Sequence, residues 1–309
     1  MQVLITGGAG FIGANLSRAL GNAGHSVTVL DDLSTGLAEN LDGTDADLVV
    51  GSILDTGTLA RTAEPVDSIV HLAARPSVPR SIVDPVASHL VNATGTVNVL
   101  EAARRDGGRH VTCAGSSSVY GANPVLPKHE DLAPRPLSPY AASKLATEAY
   151  TLAYAHSYDL PTLAFRFFNV FGPLQAAGHA YAAVIPAFVD AALRGQPLPV
   201  HGDGTQSRDF TFVDTVCSVM VDTVERGVSH PTPVNLAYGT RTDLVSVIEV
   251  LRELIGHELQ VEYQDSRVGD IAHSQASDDQ VRTLFPSVTP VPLDLGLKAT
   301  VDWMRESIR

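Results

Sequence analysis

The chain has 309 residues, 44% of them hydrophobic, enough for one large domain and a smaller one around a sizeable core. With 34 acidic against 21 basic residues and a net charge of −13, it is a poor non-specific binder of nucleic acid or anionic membrane, and neither is expected as a partner. Its two cysteines, Cys113 and Cys217, have no metal-ligand spacing, and no apolar run reaches membrane-spanning length, so the expectation is a soluble cytoplasmic protein without a metal.

The first predicted element is an apolar strand at residues 3–6, which leaves no room before it for a signal peptide. Gly7-Gly8-Ala9-Gly10-Phe11-Ile12-Gly13 follows directly, and a helix is predicted over 11–23. Glycines at this spacing let the backbone turn tightly, approach a pyrophosphate and pack the helix on the strand, while the helix N-terminus offers free N–H groups. A second apolar strand at 27–30 ends in Asp31, 18 residues beyond Gly13. An acid there accepts hydrogen bonds from the adenosine ribose and repels a 2′-phosphate, so the pair of features predicts a Rossmann unit that takes NAD rather than NADP.

Further strands are predicted at 48–50, 68–72, 110–114 and 162–167, with helices at 86–105 and 140–156. That alternation predicts a doubly wound α/β parallel sheet. Beyond Gly172-Pro173 the chain becomes richer in Pro, Gly and short mixed segments, although 233–236 reads as another strand of the main sheet. The expected arrangement is therefore a Rossmann domain over 1–172, with about 209–238 returning to it. A smaller interleaved C-terminal substrate domain is expected over 173–208 and 239–309.

Tyr140-Ala141-Ala142-Ser143-Lys144 falls early in a predicted helix, where residues four apart share a face. A free phenol titrates near ~10, too high for a base at neutral pH; a cation one turn on would favour the phenolate. Ser116-Ser117-Ser118-Val119-Tyr120-Gly121 follows strand 110–114, at the end of a parallel sheet that faces the ligand crevice. A hydroxyl there can relay a substrate proton to Tyr140, although three serines also suit a cap or a turn.

Together with His71-Leu72-Ala73-Ala74, the run Arg166–Pro173, Gly202-Asp203-Gly204, Ser207-Arg208-Asp209-Phe210 and Arg267-Val268-Gly269-Asp270-Ile271, these motifs resemble the extended short-chain dehydrogenase/reductases, specifically the nucleotide-sugar 4-epimerases. The likeness covers nearly the whole chain. It implies a UDP-sugar substrate, NAD as a bound cofactor and a hydride that leaves C4 and returns to the other face of a 4-keto sugar. It assigns Tyr140, Lys144 and Ser116 to catalysis, and Gly7, Gly10, Phe11, Ile12, Gly13, Asp31, Leu72, Ala73, Ala74, Tyr140 and Lys144 to NAD. Where the family often has an acid touching adenine, this chain has Ser52, so that contact passes to Ser52, Ile53 or Asp55. Ser77, Ser116, Ser117, Ser118, Asn169, Arg208, Arg267, Asp270 and Ser274 are the expected substrate contacts, with the arginines on the diphosphate unless they pair with Asp209 and Asp270.

The resemblance also implies a homodimer through a four-helix bundle built from the 86–105 and 140–156 helices. Related dehydratases and decarboxylases carry acids at the positions of Ser117 and Ser118, which argues against elimination here. As a whole the chain resembles UDP-glucuronate 4-epimerases of antibiotic biosynthesis. Small Ser274 and the 180–186 run also suit N-acetyl sugars, and UDP-glucose remains open. Asn169 and Ala176 stand where glucuronate enzymes usually carry a Thr and an Arg. A uronate carboxylate would then fall to Ser77, Ser116, Ser117, Arg75, His179 or Arg194. A reading of another class, a non-catalytic protein that only binds NAD and UDP-sugar, would have to explain why the catalytic residue types are all present.

Overall fold

A computed structural model of the chain describes residues 1–105, 107–177, 183–265 and 273–308. Its strands are β1 (Gln2–Thr6), β2 (Ser26–Asp31), β3 (Asp47–Val50), β4 (Ser68–His71), β5 (His110–Ser116), β6 (Thr162–Phe167), β7 (Asn169–Phe171), β8 (Leu198–His201), β9 (Ser207–Arg208), β10 (Phe210–Phe212), β11 (Val234–Leu236), β12 (Thr242–Asp243) and β13 (Val261–Gln264). The helices are α1 (Phe11–Asn22), α2 (Thr56–Ala63), α3 (Val78–Val83), α4 (Pro85–His89), α5 (Gly95–Arg105), α6 (Pro139–Tyr158), α7 (Val184–Leu193), α8 (Val213–Arg226), α9 (Leu244–Ile255), α10 (Asp279–Leu284) and α11 (Leu293–Ser307).

Seven strands form a parallel sheet in the order β11-β6-β5-β4-β1-β2-β3, the Rossmann-like arrangement the sequence predicts. Strands β4 and β6 are buried along their whole length, which is why they read as apolar runs rather than alternating ones. The strand order reverses between β1 and β4, so Gly7 and Leu72 leave the sheet side by side at the crevice where such folds bind dinucleotides. Leu4, Ile69, Val99, Val111 and Leu160 belong to the core beneath. The helix expected over 86–105 is broken: between α4 and α5 the chain makes a π turn over Leu90–Thr94, and Asn92 lies within it.

Contacts divide the chain into two compact units, the first being Met1–Asn123, Glu130–Phe167 and Cys217–Leu236, and the second Pro124–His129, Phe168–Val216 and Ala237–Arg309. Residues 168–172 and 209–216 thus lie in the second unit, not in the first as their sequence position suggested. The reason is pairing: β7 and β10 bond to each other, Asn169 opposite Phe210, and not to the large sheet. In the same unit β9 pairs antiparallel with β12, Arg208 opposite Thr242, and β8 pairs parallel with β13. Exposed arginines are paired locally: Arg104 with Glu101, Arg194 with Asp190, Arg226 with Asp222 and Arg282 with Asp278. Among the described residues, no helix is long and apolar enough to cross a membrane.

One polar cluster lies inside the first unit. Arg166 on β6 donates through Nε and Nη2 to both oxygens of Glu148 on α6, each at 2.7 Å, with side-chain exposures of 2% and 6%. Its Nη1 donates to the Glu130 carbonyl, and the guanidinium lies 4.6 Å from the centre of the Tyr120 ring. Tyr120 donates in turn to Asn235 Oδ1 on β11, and Glu130 Oε1 accepts the Asn235 N–H. Removing one partner of such a pair strands a buried charge, so Glu148→Ala is expected to lower the unfolding free energy by about 3–5 kcal/mol. Urea denaturation of the two proteins measures the difference; a loss under ~1 kcal/mol would mean that Arg166 finds another partner.

Candidate active site

The glycine segment behaves as its sequence suggests. Gly7 has φ +74°, and a Cβ on it would meet the Ala73 backbone nitrogen at 2.6 Å, while a Cβ on Gly13 would run into the Gly7 carbonyl. α1 then starts at Phe11 with Gly10 as its N-cap, no capping side chain and no acid in its first turn. A first turn left open in this way suits an anion such as a pyrophosphate. Asp31 does more than await a ribose. Its two oxygens accept the N–H groups of Ala9 and Leu33, each at 2.9 Å, so the carboxylate also braces the glycine turn. Burial pushes its pKa up, those two bonds oppose the shift, and neighbouring Asp32 adds repulsion. This acidic pair is hostile to a 2′-phosphate, and the residues present fit NAD.

The other predicted cofactor positions are mixed. Leu72, Ala73 and Ala74 are half-buried beside Thr6, whose carbonyl accepts the Leu72 N–H. Ile53, by contrast, buries its side chain in the core and offers only backbone, with its carbonyl taken by Asn98. Ser52 accepts the Leu54 N–H, and Asp55 caps α2 through Gly57 and Thr58. Ser77 has φ +96° and caps α3 by accepting the Arg80 N–H.

The three residues expected to be catalytic, Tyr140, Lys144 and Ser116, come together in the first unit. Tyr140 lies in the first turn of α6, one turn before Lys144, and its phenol shares a hydrogen bond with Ser116 at the end of β5. Lys144 is 5% exposed, donates from Nζ to the Ala114 carbonyl at 2.8 Å, and is pushed down by burial to about 8, with Cys113 opposing. The expectation that Lys144 would lower the Tyr140 pKa is not met. Burial raises the phenol, the Ser116 bond lowers it, and Lys144 does not enter the balance. The Lys144 ammonium is turned to a carbonyl, which spends its proximity on Ala114. In the serine turn, Ser116 also accepts the Ser118 N–H, whereas the Ser118 hydroxyl is buried without a partner.

Two supports of this trio carry no signature in the local sequence motifs. Ser81, fully buried in α3, accepts the Tyr140 N–H at 3.0 Å and donates to Val78 O. Asn92, in the π turn, accepts the Arg75 N–H through Oδ1 at 2.7 Å and donates through Nδ2 to Ser143 Oγ at 2.9 Å; Ser143 donates to the Tyr140 carbonyl. The Asn92 carbonyl accepts from both Thr96 and Thr147. His71 lies between Thr6 and Thr96, with Nδ1 2.7 Å from one hydroxyl and Nε2 3.0 Å from the other. Polar residues on the buried face of an otherwise apolar helix, Asn92 and Thr96, were the available signal.

Asn169 and Arg208, both expected to meet substrate, line one pocket of about 400 Å³ in the second unit, together with Gln175, His201, Gln206 and Phe210. The Arg208 Nη1 donates to the Ser207 carbonyl. The ion pair between Arg208 and Asp209 is absent, because the Asp209 carboxylate is turned to Thr240 and Ala276. Ser274 is fixed by its N–H to the Ser207 carbonyl. Arg267, Asp270 and His179 lie outside the described residues. Arg75 and Arg194 are each bonded to a carboxylate, Asp84 at 3.0 Å and Asp190 at 2.8 Å.

A nucleotide-binding sheet joined to a tyrosine, a buried lysine and a serine defines an enzyme of the tyrosine-dependent dehydrogenase type. The chain belongs to the NAD dependent epimerase/dehydratase family, whose profile matches residues 3–237. It is 37% identical to a UDP-glucose 4-epimerase of Mycolicibacterium smegmatis, over 99% of each chain. Among solved structures it is similar to the UDP-N-acetylglucosamine 4-epimerase of Methanobrevibacter ruminantium in complex with UDP-N-acetylmuramic acid. The identity is 33% and the TM-score 0.93, over 99% of this chain and 98% of that one. The UDP-glucuronic acid 4-epimerase of Bacillus cereus, solved with UDP-glucuronic acid and NAD, is 29% identical with a TM-score of 0.88, over 99% of this chain and 100% of that one.

Two outcomes follow from this geometry. Ser81→Ala removes the acceptor of the Tyr140 N–H and should lower kcat about tenfold while KM stays nearly constant, in steady-state assays of the sugar-nucleotide reaction. His71 is held at a pKa of about 3, against 6.5 when free, by burial and by the Lys144 charge. The unfolded chain therefore binds one more proton than the folded one between those values, and stability falls as pH drops through that window. Urea titrations at pH 4–7 should show a slope smaller by about 1.4 kcal/mol per pH unit in His71→Gln.

Proposed function

We propose that the chain is a UDP-sugar 4-epimerase, an isomerase with NAD as a bound cofactor. The observation that carries this reading is the Ser116–Tyr140 hydrogen bond beside Lys144, with no carboxylate at 117 or 118 to drive elimination. Gly7, Gly10, Phe11, Ile12, Gly13 and Asp31 hold the dinucleotide, with Leu72, Ala73, Ala74, Tyr140 and Lys144 along its other end. NAD, when bound there, would supply the reversible redox chemistry at the sugar C4. Tyr140, assisted by Ser116, takes the proton of the sugar 4-hydroxyl as the C4 ketone forms and returns it as the ketone is reduced. Arg208 and Asn169, with Arg267, hold the diphosphate while the keto sugar turns to present its second face.

The substrate we favour is UDP-glucuronate, interconverted with UDP-galacturonate, in an antibiotic pathway. Whole-chain similarity to a probable UDP-glucuronate 4-epimerase of Rhizobium meliloti, 31% identical, supports this. So does the unpartnered hydroxyl of Ser118, which with Ser117 and Ser77 can donate to a carboxylate now that Arg75 and Arg194 are neutralised by their own partners. The higher identity to a UDP-glucose enzyme favours UDP-glucose as the second reading.

Incubation with UDP-glucuronate, UDP-glucose or UDP-N-acetylglucosamine without added reductant, followed by anion exchange or proton NMR, tests both. The expected result is an equilibrium mixture of C4 epimers from UDP-glucuronate without consumption of free NAD. Tyr140→Phe should cut the rate about 10²–10⁴-fold. Nucleotide binding without turnover of any sugar would favour the non-catalytic reading and end the epimerase one.

We further propose a homodimer through a four-helix bundle of the α4–α5 and α6 helices. Leu100, one of the apolar positions on these helices, belongs to the core, but Val86, Leu90 and Tyr150 are exposed and unaccounted for by the fold. Sedimentation velocity should find a dimer, and Leu90→Glu should give a monomer.

A further inference from the structure

Asp209 lies between Arg208 and Phe210 and is 0% exposed. A carboxylate this deep usually has a cation beside it. This one is held by four neutral donors instead: the Ala276 N–H at 3.0 Å, the Thr240 hydroxyl at 2.9 Å, and the backbone N–H groups of Gly239 and Thr240. Its own carbonyl accepts both the backbone N–H and the Nδ2 of Asn169, each at 3.3 Å. One residue therefore joins the strand carrying Arg208, the strand carrying Asn169, the 239–240 turn and the segment at 276.

The alternation of an extended chain explains what this does for the pocket. Arg208 and Phe210 line it, and Ser207 and Asp209 face away. Ser207 is pinned on that far side as well, by Arg241 Nε at 3.1 Å and His273 Nδ1 at 2.9 Å. The two residues flanking Arg208 are thus gripped by the same two segments, 239–241 and 273–276. Asp209 is the member of this clamp that also fixes Asn169.

We propose that Asp209 is the positioning residue of the nucleotide pocket, holding Arg208 and Asn169 in place for the diphosphate without touching it. This rests on reading the pocket as the UDP site. The ionised form is the one that accepts all four bonds, and burial pushes the carboxyl up to about 6. The charged or titratable groups on the packed segments are Arg208, Tyr238, Arg241, Asp243, His273, Asp278 and Lys128, and the leading causes of the shift are burial against hydrogen bonds from Ala276, Thr240 and Gly239. UDP-glucose affinity should therefore weaken as pH falls through about 6.

Calorimetric titration of the full-length, NAD-loaded protein with UDP-glucose at pH 5–8 tests this, since its doubly substituted diphosphate, unlike the terminal phosphate of free UDP, does not titrate near ~6. Wild type should lose affinity at the acid end. Asp209→Asn should bind UDP-glucose about tenfold more weakly at pH 8 and show no acid limb, with KM for the sugar nucleotide raised and kcat within about twofold. Thr240→Val, which removes one bond and no charge, should move the acid limb to higher pH, and it serves if Asp209→Asn does not fold. His273→Gln and His201→Gln should keep the limb. Wild-type affinity in Asp209→Asn, an unmoved limb in Thr240→Val, or loss of the limb in either histidine variant would overturn the proposal. Failure of wild type to bind UDP-glucose at all would instead overturn the reading of the pocket.

Discussion

The Arg166–Glu148 pair is the constraint on which the catalytic half of the fold depends. Glu148 lies one helical turn beyond Lys144 on α6, so the bond that holds Arg166 also fixes the rotation of the helix that carries Tyr140 and Lys144. The same guanidinium lies against Tyr120, at the far end of the serine turn that begins with Ser116. A hydrophobic replacement could fill this volume at equal or lower free energy, since desolvating two charges is expensive. What apolar packing lacks is direction. The bidentate geometry specifies one register between β6, α6 and the turn after β5, and a proton relay needs that register to tenths of an ångström.

Much of this architecture is legible in the amino-acid sequence. The glycine turn, Asp31, the Tyr140–Lys144 spacing and the serine turn are local patterns whose chemistry fixes their geometry, and the sheet brings them to one edge as expected. The supports are hidden for a different reason. Ser81 and Asn92 act through backbone groups far away in sequence, and no spacing rule announces such partners. The π turn that places Asn92 is a one-residue change in helical bonding, invisible to periodicity. The expected domain division fails at 168–172 and 209–216 because strand pairing, not composition, decides where short strands belong.

Electrostatics departs furthest from the sequence picture. The simple account has Lys144 acidify Tyr140 by proximity. Instead, both groups are governed by burial, which raises the phenol and lowers the ammonium to about 8, so their titrations move apart and both groups favour the neutral form. His71 joins them as a neutral ring locked between two hydroxyls. The interior here is tuned to keep charge low, and a positive ring arriving in such a place would act on the phenol with little dielectric screening.

The local pairing of surface arginines has a consequence for how substrate arrives. With Arg104, Arg194, Arg226 and Arg282 each paired to an acid three or four residues away, these arginines do little to offset the chain's charge of −13. A nucleotide sugar carrying its own negative charge approaches against the long-range potential, and under the proposed reading Arg208 attracts it only within the last few ångströms. Added salt screens the repulsion over a Debye length of about 10 Å at ~0.1 M, yet barely reaches a half-buried guanidinium. Encounter should accordingly quicken with ionic strength, the reverse of an enzyme that steers its anion in.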